Sequence, residues 1–182
     1  MNIKARINAR KILLVYYYEQ YFLDSAGRNI PLLAEIERVK EHMSKETDIE
    51  EVNLQEKMTK EYYQDTDEEI GYLFKNHFPN LEEKQLDWKY IEQIAGKFWN
   101  YEPIVRDKVD QHTVTFWFDQ MDIMDRVIFI LGYIEFKIIG TPKVVVLNEM
   151  IELAKRYGDP QSSKLINGIG HKVLSEGEEW TK

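Results

Sequence analysis

Three aspartates at intervals of three residues are the first candidates for chemistry in this chain. In the stretch DQMDIMD, Asp119, Asp122 and Asp125 would share one side of a helix, where oxygen ligands can hold a divalent cation. Acidic residues are also common in the first turn of a helix, because the helix dipole stabilises them there. We favour this second interpretation and keep a metal-dependent helical enzyme as an alternative that calorimetry with divalent cations would test.

Other potential catalytic groups lack the partners that their chemistry requires. The stretch NGIGHK has no strand before it and so is not expected to bind phosphate as a loop. The stretch DTDEE lacks the later positions of a calcium loop. No serine, threonine or lysine has a recognisable base beside it. No metal-binding spacing relates the histidines, which are His42, His77, His112 and His171. We therefore predict a protein without catalytic residues, metal or cofactor.

Charge is distributed unevenly along the 182 residues. The net charge is −8, and residues 34–69 hold thirteen acidic residues against five basic ones. Residues 1–18 hold four basic residues and no acidic one, and residues 137–172 hold six against three. Both ends can therefore present an anion-binding surface, although the whole chain is acidic.

The composition is that of a soluble globular protein, with 43% apolar and 31% charged residues. The length allows one large domain or two small helical ones. The chain has no cysteine, which excludes disulfides and fits a reducing compartment. No apolar run reaches the roughly 18 residues of a membrane span, and the basic start lacks a signal cleavage site. We predict a cytoplasmic protein.

The candidate residues must be positioned by secondary-structure elements, and the spacing of apolar residues predicts that these elements are helices. The pattern predicts a first helix over 3–23 and a second that opens at Pro31. The acidic segment at about 41–69 has a weak pattern, and an amphipathic stretch follows over 65–78.

In the second half, an amphipathic run begins near Trp88, and Pro103 is expected to break or restart it. HTVTFWF is interpreted as a short helix or helical turn, because no nearby segment could pair with it as a strand. The most apolar segment predicts a buried central helix that ends near Gly140.

Pro142 is expected to open the next helix, and Gly158 to end it in the left-handed conformation. Ser162 is a candidate N-cap for a last helix to about 175, in which Gly168 and Gly170 would allow a close approach to a neighbouring helix. The fold class is therefore all-α, with about seven helices. We divide it into an N-terminal subdomain, 1–87, and a C-terminal bundle, 88–182.

The stretch TPKVVVLNEMIELAKRYGDPQSSKLINGIGHKV resembles the C-terminal signature of the NusB family of transcription antitermination factors. The segments MDRVIFILGYIEF, YIEQIAGKF and ARINARKILLVYYYEQYF are similar to the family's central helix, a segment before a fixed glycine, and its first helix. The resemblance covers 1–23 and 88–175, whereas residues 24–87 do not align. The matching signature positions are Pro142, Lys143, Val144, Asn148, Glu149, Glu152, Leu153, Ala154, Lys155, Tyr157, Gly158, Ser162, Lys164, Asn167 and Gly168.

This resemblance implies two packed small helical bundles and a non-enzymatic function. It implies that the chain pairs with a NusE-like ribosomal protein, binds boxA-type single-stranded RNA and supports transcription of ribosomal RNA operons by RNA polymerase. Some relatives self-associate through the partner surface, so a homodimer is compatible with this function. The residues implied in RNA binding are Lys4, Arg6, Arg10, Lys11, Tyr157, Gln161 and Lys164, and those implied in partner binding are Tyr18 and Asp125.

Each of these residues also has a structural interpretation. The cations could form a solvated helix face, Tyr157 a hydrophobic cap, Tyr18 part of the core, and Asp125 a helix cap. The family's arginine cluster is thinned here, since Ile7 and Asn8 stand where arginines are common. Leu165 replaces an aromatic residue, and Gln161 stands where aspartate is frequent. Fewer cations predict weaker and less salt-dependent RNA binding.

Two further alternatives follow from the resemblance. The chain could be an RNA-binding module that acts in trans in ribosomal RNA modification. It could instead be a protein-interaction scaffold that has lost RNA binding, as the thinned arginines and the acidic segment would suggest. Binding of boxA-type RNA with and without the partner separates the scaffold from the antitermination factor.

Overall fold

The computed structural model describes residues 2–25, 70–71, 74–76 and 78–175, in which every regular element is helical. The all-α prediction is therefore confirmed. The predicted helix from Pro31 and the weakly patterned segment 41–69 lie outside the described residues, as does most of 65–78. The α-helices are α1 (Ile3–Ser25), α2 (Trp88–Ile94), α3 (Phe98–His112), α4 (Ile123–Ile134), α5 (Lys143–Tyr157) and α6 (Ser162–Val173).

Three shorter elements are described besides these α-helices and the helical residues 70–71 and 74–76. Glu83–Gln85 and Phe118–Gln120 are 3-10 turns, and Glu135–Ile139 is a π-helical segment that continues α4 without a break. The interpretation of HTVTFWF (residues 112–118) as a short helix or helical turn is wrong, because residues 113–117 are irregular and only its two ends belong to helical elements, His112 to α3 and Phe118 to the 3-10 turn. The buried Phe118 donates a backbone hydrogen bond of 2.6 Å to Asp110 Oδ1, which ties the turn to α3.

The central helix α4 organises the core. Every residue from Val127 to Ile134 is buried, because α1, α3, α5 and α6 all pack around this helix. The π-helical segment then ends at Gly140, whose φ of 71° is the left-handed conformation that glycine adopts at little cost. The predicted end of the central helix is thus correct.

One continuous hydrophobic core includes residues of α1 and of the helices that follow residue 87. Helix α1 contributes Ile12, Leu13 and Leu14, which are almost completely buried. The predicted division between residues 87 and 88 stays a prediction, but it separates α1 from helices with which it shares this core. None of the described helices is both long and apolar enough to cross a membrane.

The break between α2 and α3 lies at Gly96, and the prediction that Pro103 makes it is wrong. Gly96 has a φ of 74°, and its N–H donates to the Tyr17 hydroxyl over 3.1 Å. Pro103 lies inside α3 at an exposed position. The left-handed residue can reverse the chain direction, whereas the proline removes one backbone donor from a helix that continues through it.

The turn between α5 and α6 also differs from the prediction. Gly158 has an extended backbone (φ −90°, ψ −179°) and is not a left-handed cap. Glycine is required there for space, since a Cβ would lie 2.6 Å from Ser162 Oγ. Ser162 is the first residue of α6 and not its N-cap, because Gln161 holds the N-cap position and makes no side-chain capping bond.

Candidate nucleic-acid interface

Arg10 is the most completely paired of the predicted RNA-binding residues. Its Nε and Nη2 lie 2.9 and 2.7 Å from the two carboxylate oxygens of Glu135, and its Nη1 lies 3.1 Å from Glu149 Oε2. The residue is only 9% exposed. The contact of Arg10 with RNA phosphate stays a prediction, and an RNA phosphate would have to compete with the two carboxylates that occupy its donors.

Glu135 is the centre of this buried network. Besides Arg10, it accepts hydrogen bonds from the Tyr90 hydroxyl at 2.7 Å and from the Thr141 hydroxyl at 2.9 Å. Burial alone would raise the pKa of the Glu135 carboxyl, but these hydrogen bonds and the Arg10 charge outweigh burial and lower that pKa. Burial and the Glu135 charge raise the pKa of Tyr90 well above its usual value. The network therefore holds a fixed ion pair, with Tyr90 protonated.

Arg6 is also paired with a carboxylate, but part of its side chain remains accessible to solvent. Its Nε lies 2.8 Å from Asp87 Oδ2, and its guanidinium lies over the Tyr90 ring at 4.3 Å from the centroid. The other Asp87 oxygen caps α2 by accepting from the Tyr90 N–H at 3.1 Å. The Arg6 side chain is 12% exposed, so Asp87 and Tyr90 fix its position while one edge of the residue remains accessible.

The two lysines of α1 are the more available cations. Lys4 is exposed and Lys11 is half-buried, and neither is paired with a carboxylate among the described residues. Asn8 donates to the Gln85 carbonyl over 3.2 Å and so attaches the 3-10 turn at Glu83–Gln85 to α1. This asparagine therefore has a structural role.

The turn after α5 exposes groups that could contact single-stranded RNA. Tyr157 is 37% exposed, and Gln161 and Lys164 are also exposed. Within a short segment the turn presents an aromatic ring, an amide and an ammonium group. These groups can stack on a base, bond to a base edge and contact a phosphate, respectively.

Beneath this turn lie two buried polar side chains. Asp125 is 4% exposed and Ser162 is 2% exposed, and neither Asp125 Oδ1 nor Ser162 Oγ has a partner of hydrogen-bonding geometry. Burial raises the pKa of the Asp125 carboxyl, the nearby Ser162 hydroxyl opposes this rise, and the charges of Asp122 and Asp159 add to it. The contact of Asp125 with a partner protein stays a prediction, and the structure shows this side chain buried beneath the turn.

Tyr18 lies at the surface, unlike its neighbours Tyr16 and Tyr17, which are buried. It is 36% exposed and stacks on the exposed Phe22 with ring centroids 6.4 Å apart. Core packing does not account for this residue. Its predicted contact with a partner protein stays a prediction, and the structure supplies a second exposed aromatic ring beside it.

The three aspartates of DQMDIMD do not converge on a shared site. Asp119 pairs with Arg106, and this hydrogen bond lowers the pKa of Asp119. Asp122 caps α4 by accepting from the Met124 N–H at 2.8 Å, and Asp125 is buried. In the part of the chain that the structure describes, no group of acidic or histidine side chains is arranged to hold a metal ion.

A second group of basic residues, which sequence reasoning did not select, lies where the C-terminal parts of α3 and α6 meet. Lys108 Nζ lies 3.4 Å from the Ser175 carbonyl and 5.6 Å from the centroid of the Tyr133 ring. Burial and the neighbouring Lys137 lower the pKa of Lys108. Burial, then Lys172 and Lys108, lower the pKa of His112. The i, i+4 spacing of Lys108 and His112 was the available signal, but their proximity to Lys172 required the fold.

These observations describe a small all-helical protein built around a buried central helix that a charged network joins to α1 and α5. A sequence model of the NusB family matches residues 45–174, and the chain belongs to this family. The family consists of non-enzymatic transcription antitermination factors. The match includes the segment 45–87, which does not align by inspection, whereas α1 lies before the matched range.

Three relatives that carry the name transcription antitermination protein NusB illustrate the similarity. The protein of Fusobacterium nucleatum subsp. nucleatum is 31% identical over 108 residues, which are 59% of this chain and 64% of the relative. The Bacillus subtilis protein is 30% identical over 100 residues, 54% of this chain and 76% of the relative. The Staphylococcus haemolyticus protein is 29% identical over 93 residues, 51% of this chain and 73% of the relative.

Proposed function

We propose that this chain supports transcription antitermination by binding boxA-type single-stranded RNA together with a NusE-like ribosomal protein. Family membership and the names of the relatives support the process. The observation that carries the RNA proposal is the exposed turn between α5 and α6, where Tyr157, Gln161 and Lys164 are accessible within the family signature. The proposed function is binding and involves no catalytic step.

The proposed RNA contacts on α1 are fewer than the sequence alone suggests. Lys4 and Lys11 would contact phosphates as point charges, and the accessible edge of Arg6 would contribute a fixed guanidinium. Arg10 is left out because Glu135 and Glu149 occupy its donors. A smaller number of phosphate contacts still predicts weaker and less salt-dependent binding than an arginine-rich helix would give.

The proposed partner surface includes the exposed rings of Tyr18 and Phe22 on α1. Exposed aromatic side chains are frequent anchors of protein interfaces, because they bury a large area at low entropic cost. Asp125 would act only indirectly, as a buried group beneath the turn. The same surface would serve a homodimer when the partner is absent.

Fluorescence anisotropy with a labelled boxA-like leader RNA and a scrambled RNA tests this proposal, with and without the NusE-like protein. We expect a preference for the boxA-like sequence that the partner strengthens. Tyr157→Ala and Arg6→Ala should weaken binding, and Tyr157→Phe should retain it because the stacking ring remains. Lys97→Ala is the control for Arg6→Ala. It also removes one positive charge, but at the start of α3, outside the proposed RNA contacts.

The competing function is a protein-interaction scaffold with little RNA binding. The burial of Arg10 and the pairing of Arg6 favour it, because they remove cations from the α1 surface. Tight binding of the NusE-like protein without any preference between the two RNAs would replace the RNA proposal with this one.

A further inference from the structure

The exposed face of α6 is polar along its whole length. Its exposed residues follow the helical spacing of three and four and are Lys164, Asn167, Gly168, His171 and Lys172. Residues 161–175 contain no acidic residue, in a chain that has 32 of them. The face runs about 12 Å from Lys164 to Lys172 at 1.5 Å per residue. It therefore leads from the turn between α5 and α6 to the opposite end of α6.

Two basic residues of α3, Lys108 and His112, extend this face at its far end. Lys108 reaches the last turn of α6 through the Ser175 carbonyl at 3.4 Å, and His112 lies one turn further along α3. Lys108, His112 and Lys172 are paired with no carboxylate among the described residues. The two lysines are cations without counter-charges among the described residues, which a polyanion would supply, whereas the neutral imidazole of His112 can donate a hydrogen bond to a phosphate.

Gly168 is the feature of this face that packing does not explain. A Cβ built at Gly168 has no atom within 4 Å, whereas a Cβ at Gly170 would lie 2.5 Å from Leu147 Cδ1. The prediction of a close helix approach is thus correct for Gly170 and wrong for Gly168. Glycine within an exposed helix is less stable than alanine. A close approach of a ligand to the helix backbone would explain why the side chain is missing.

The chemistry of the face favours nucleic acid over protein. Protein interfaces rely on aromatic and other apolar anchors, and none of the exposed residues of α6 is apolar. Phosphodiester contacts instead require cations and small polar groups, which lysine, histidine and asparagine supply.

We propose that the exposed face of α6, continued by Lys108 and His112, is a track for the phosphodiester backbone of single-stranded RNA, in which Gly168 lets the backbone of the RNA approach the helix. This inference rests on the proposed function and extends it. The turn at Tyr157–Lys164 would read the sequence, and the track would hold the adjoining nucleotides irrespective of sequence. Loss of the track should therefore lower affinity equally for the boxA-like and the scrambled RNA.

The test is a salt titration of RNA binding by the full chain, measured by anisotropy between 50 and 200 mM NaCl with both RNAs. The double variant Lys108→Ala/Lys172→Ala should weaken binding about tenfold and reduce the slope of log K against log salt by about 1.4, since each phosphate contact in a single strand contributes about 0.7. Lys97→Ala removes one positive charge at the other end of α3, about 16 Å from Lys108, and is the control with which the single variants Lys108→Ala and Lys172→Ala are compared.

Gly168→Ala gives a second test with opposite effects on two measurements. It should raise the melting temperature, because alanine favours the helix, and it should weaken binding of both RNAs by at least about threefold if a ligand approaches the helix there. A lower melting temperature, or unchanged RNA binding, would overturn the assignment of Gly168.

The results separate the track from the proposed function. If the chain prefers the boxA-like RNA but the double variant binds as the Lys97 control does, the proposed function stands and the track is refuted. If the chain shows no sequence preference but the double variant loses affinity and salt slope, the track stands and the boxA proposal fails. Binding of poly-glutamate without binding of either RNA would assign the face to an acidic protein and overturn the track.

Discussion

Helices α1 and α6 both carry basic residues, but they use them in opposite ways. In α1, Arg10 lies between Glu135 and Glu149, and Arg6 is paired with Asp87. In α6, Lys164 and Lys172 are exposed, and neither is paired with a carboxylate among the described residues. A basic segment is therefore not in itself an anion-binding surface. A cation is available to an anionic ligand only when the fold has not already paired it with a carboxylate.

The largest expected effect comes from removing the buried cation of α1. Arg10→Ala should lower the free energy of unfolding by about 3–5 kcal/mol, because it leaves the Glu135 carboxylate buried without its partner. Urea denaturation measures this change. Lys172→Ala is the matched cation of α6 and should have little effect on stability. Equal losses for both variants would abolish the contrast between the two helices.

The pH dependence of stability sharpens the same contrast. The folded-state pKa of Glu135 is lowered below its ordinary value of 4.5. The ionised carboxylate thus contributes stability that is fully present above pH 4.5 and is lost as the pH falls towards the folded-state pKa. Glu135→Gln should be less stable than the wild type at pH 7, and the difference should narrow on acidification. Urea denaturation at several pH values tests this, and a constant difference would contradict it.

Ionisation of Asp125 should have the opposite effect on the stability of the folded state. Burial raises its folded-state pKa above the ordinary value of 3.8, so ionisation of Asp125 destabilises the folded state at neutral pH, and protonation relieves the penalty as the pH falls through the folded-state pKa. Asp125→Asn is expected to stabilise the chain at pH 7, because the amide carries no charge that burial would penalise. The gain should shrink towards pH 4. A destabilised Asn variant would show that the carboxylate has a partner that the fold depends on.

The smallest expected effect on stability comes from the cations at the end of α3. Lys108→Ala should change the free energy of unfolding by no more than about 0.5 kcal/mol, as is usual for surface substitutions, although the same change should weaken RNA binding. Thermal denaturation measured beside the anisotropy titration checks both. A large loss of stability would mean that the Lys108 contact with the Ser175 carbonyl holds α3 and α6 together.

The helical periodicity of the sequence predicted the fold class, the central helix and its end at Gly140, because these depend on local patterns. The burial and the partners of individual charged residues could not be predicted from local patterns. Arg10 finds its partners 125 and 139 residues further along the chain, and nothing in its own segment indicates that it is buried. Gly158 was predicted as a left-handed cap, but its need for space comes from Ser162, which approaches only when α6 folds back on α5.

The network around Glu135 also determines how the molecule can come apart. Local undocking of α1 would separate Arg10 from both Glu135 and Glu149, and would leave buried charges without partners until α4 and α5 opened as well. We therefore expect the α1 amides near Arg10 to exchange with solvent deuterium only in the same opening event that exposes α4. Although α1 begins near the N-terminus, it should behave as part of the last cooperative unit to unfold and not as a terminal helix that frays.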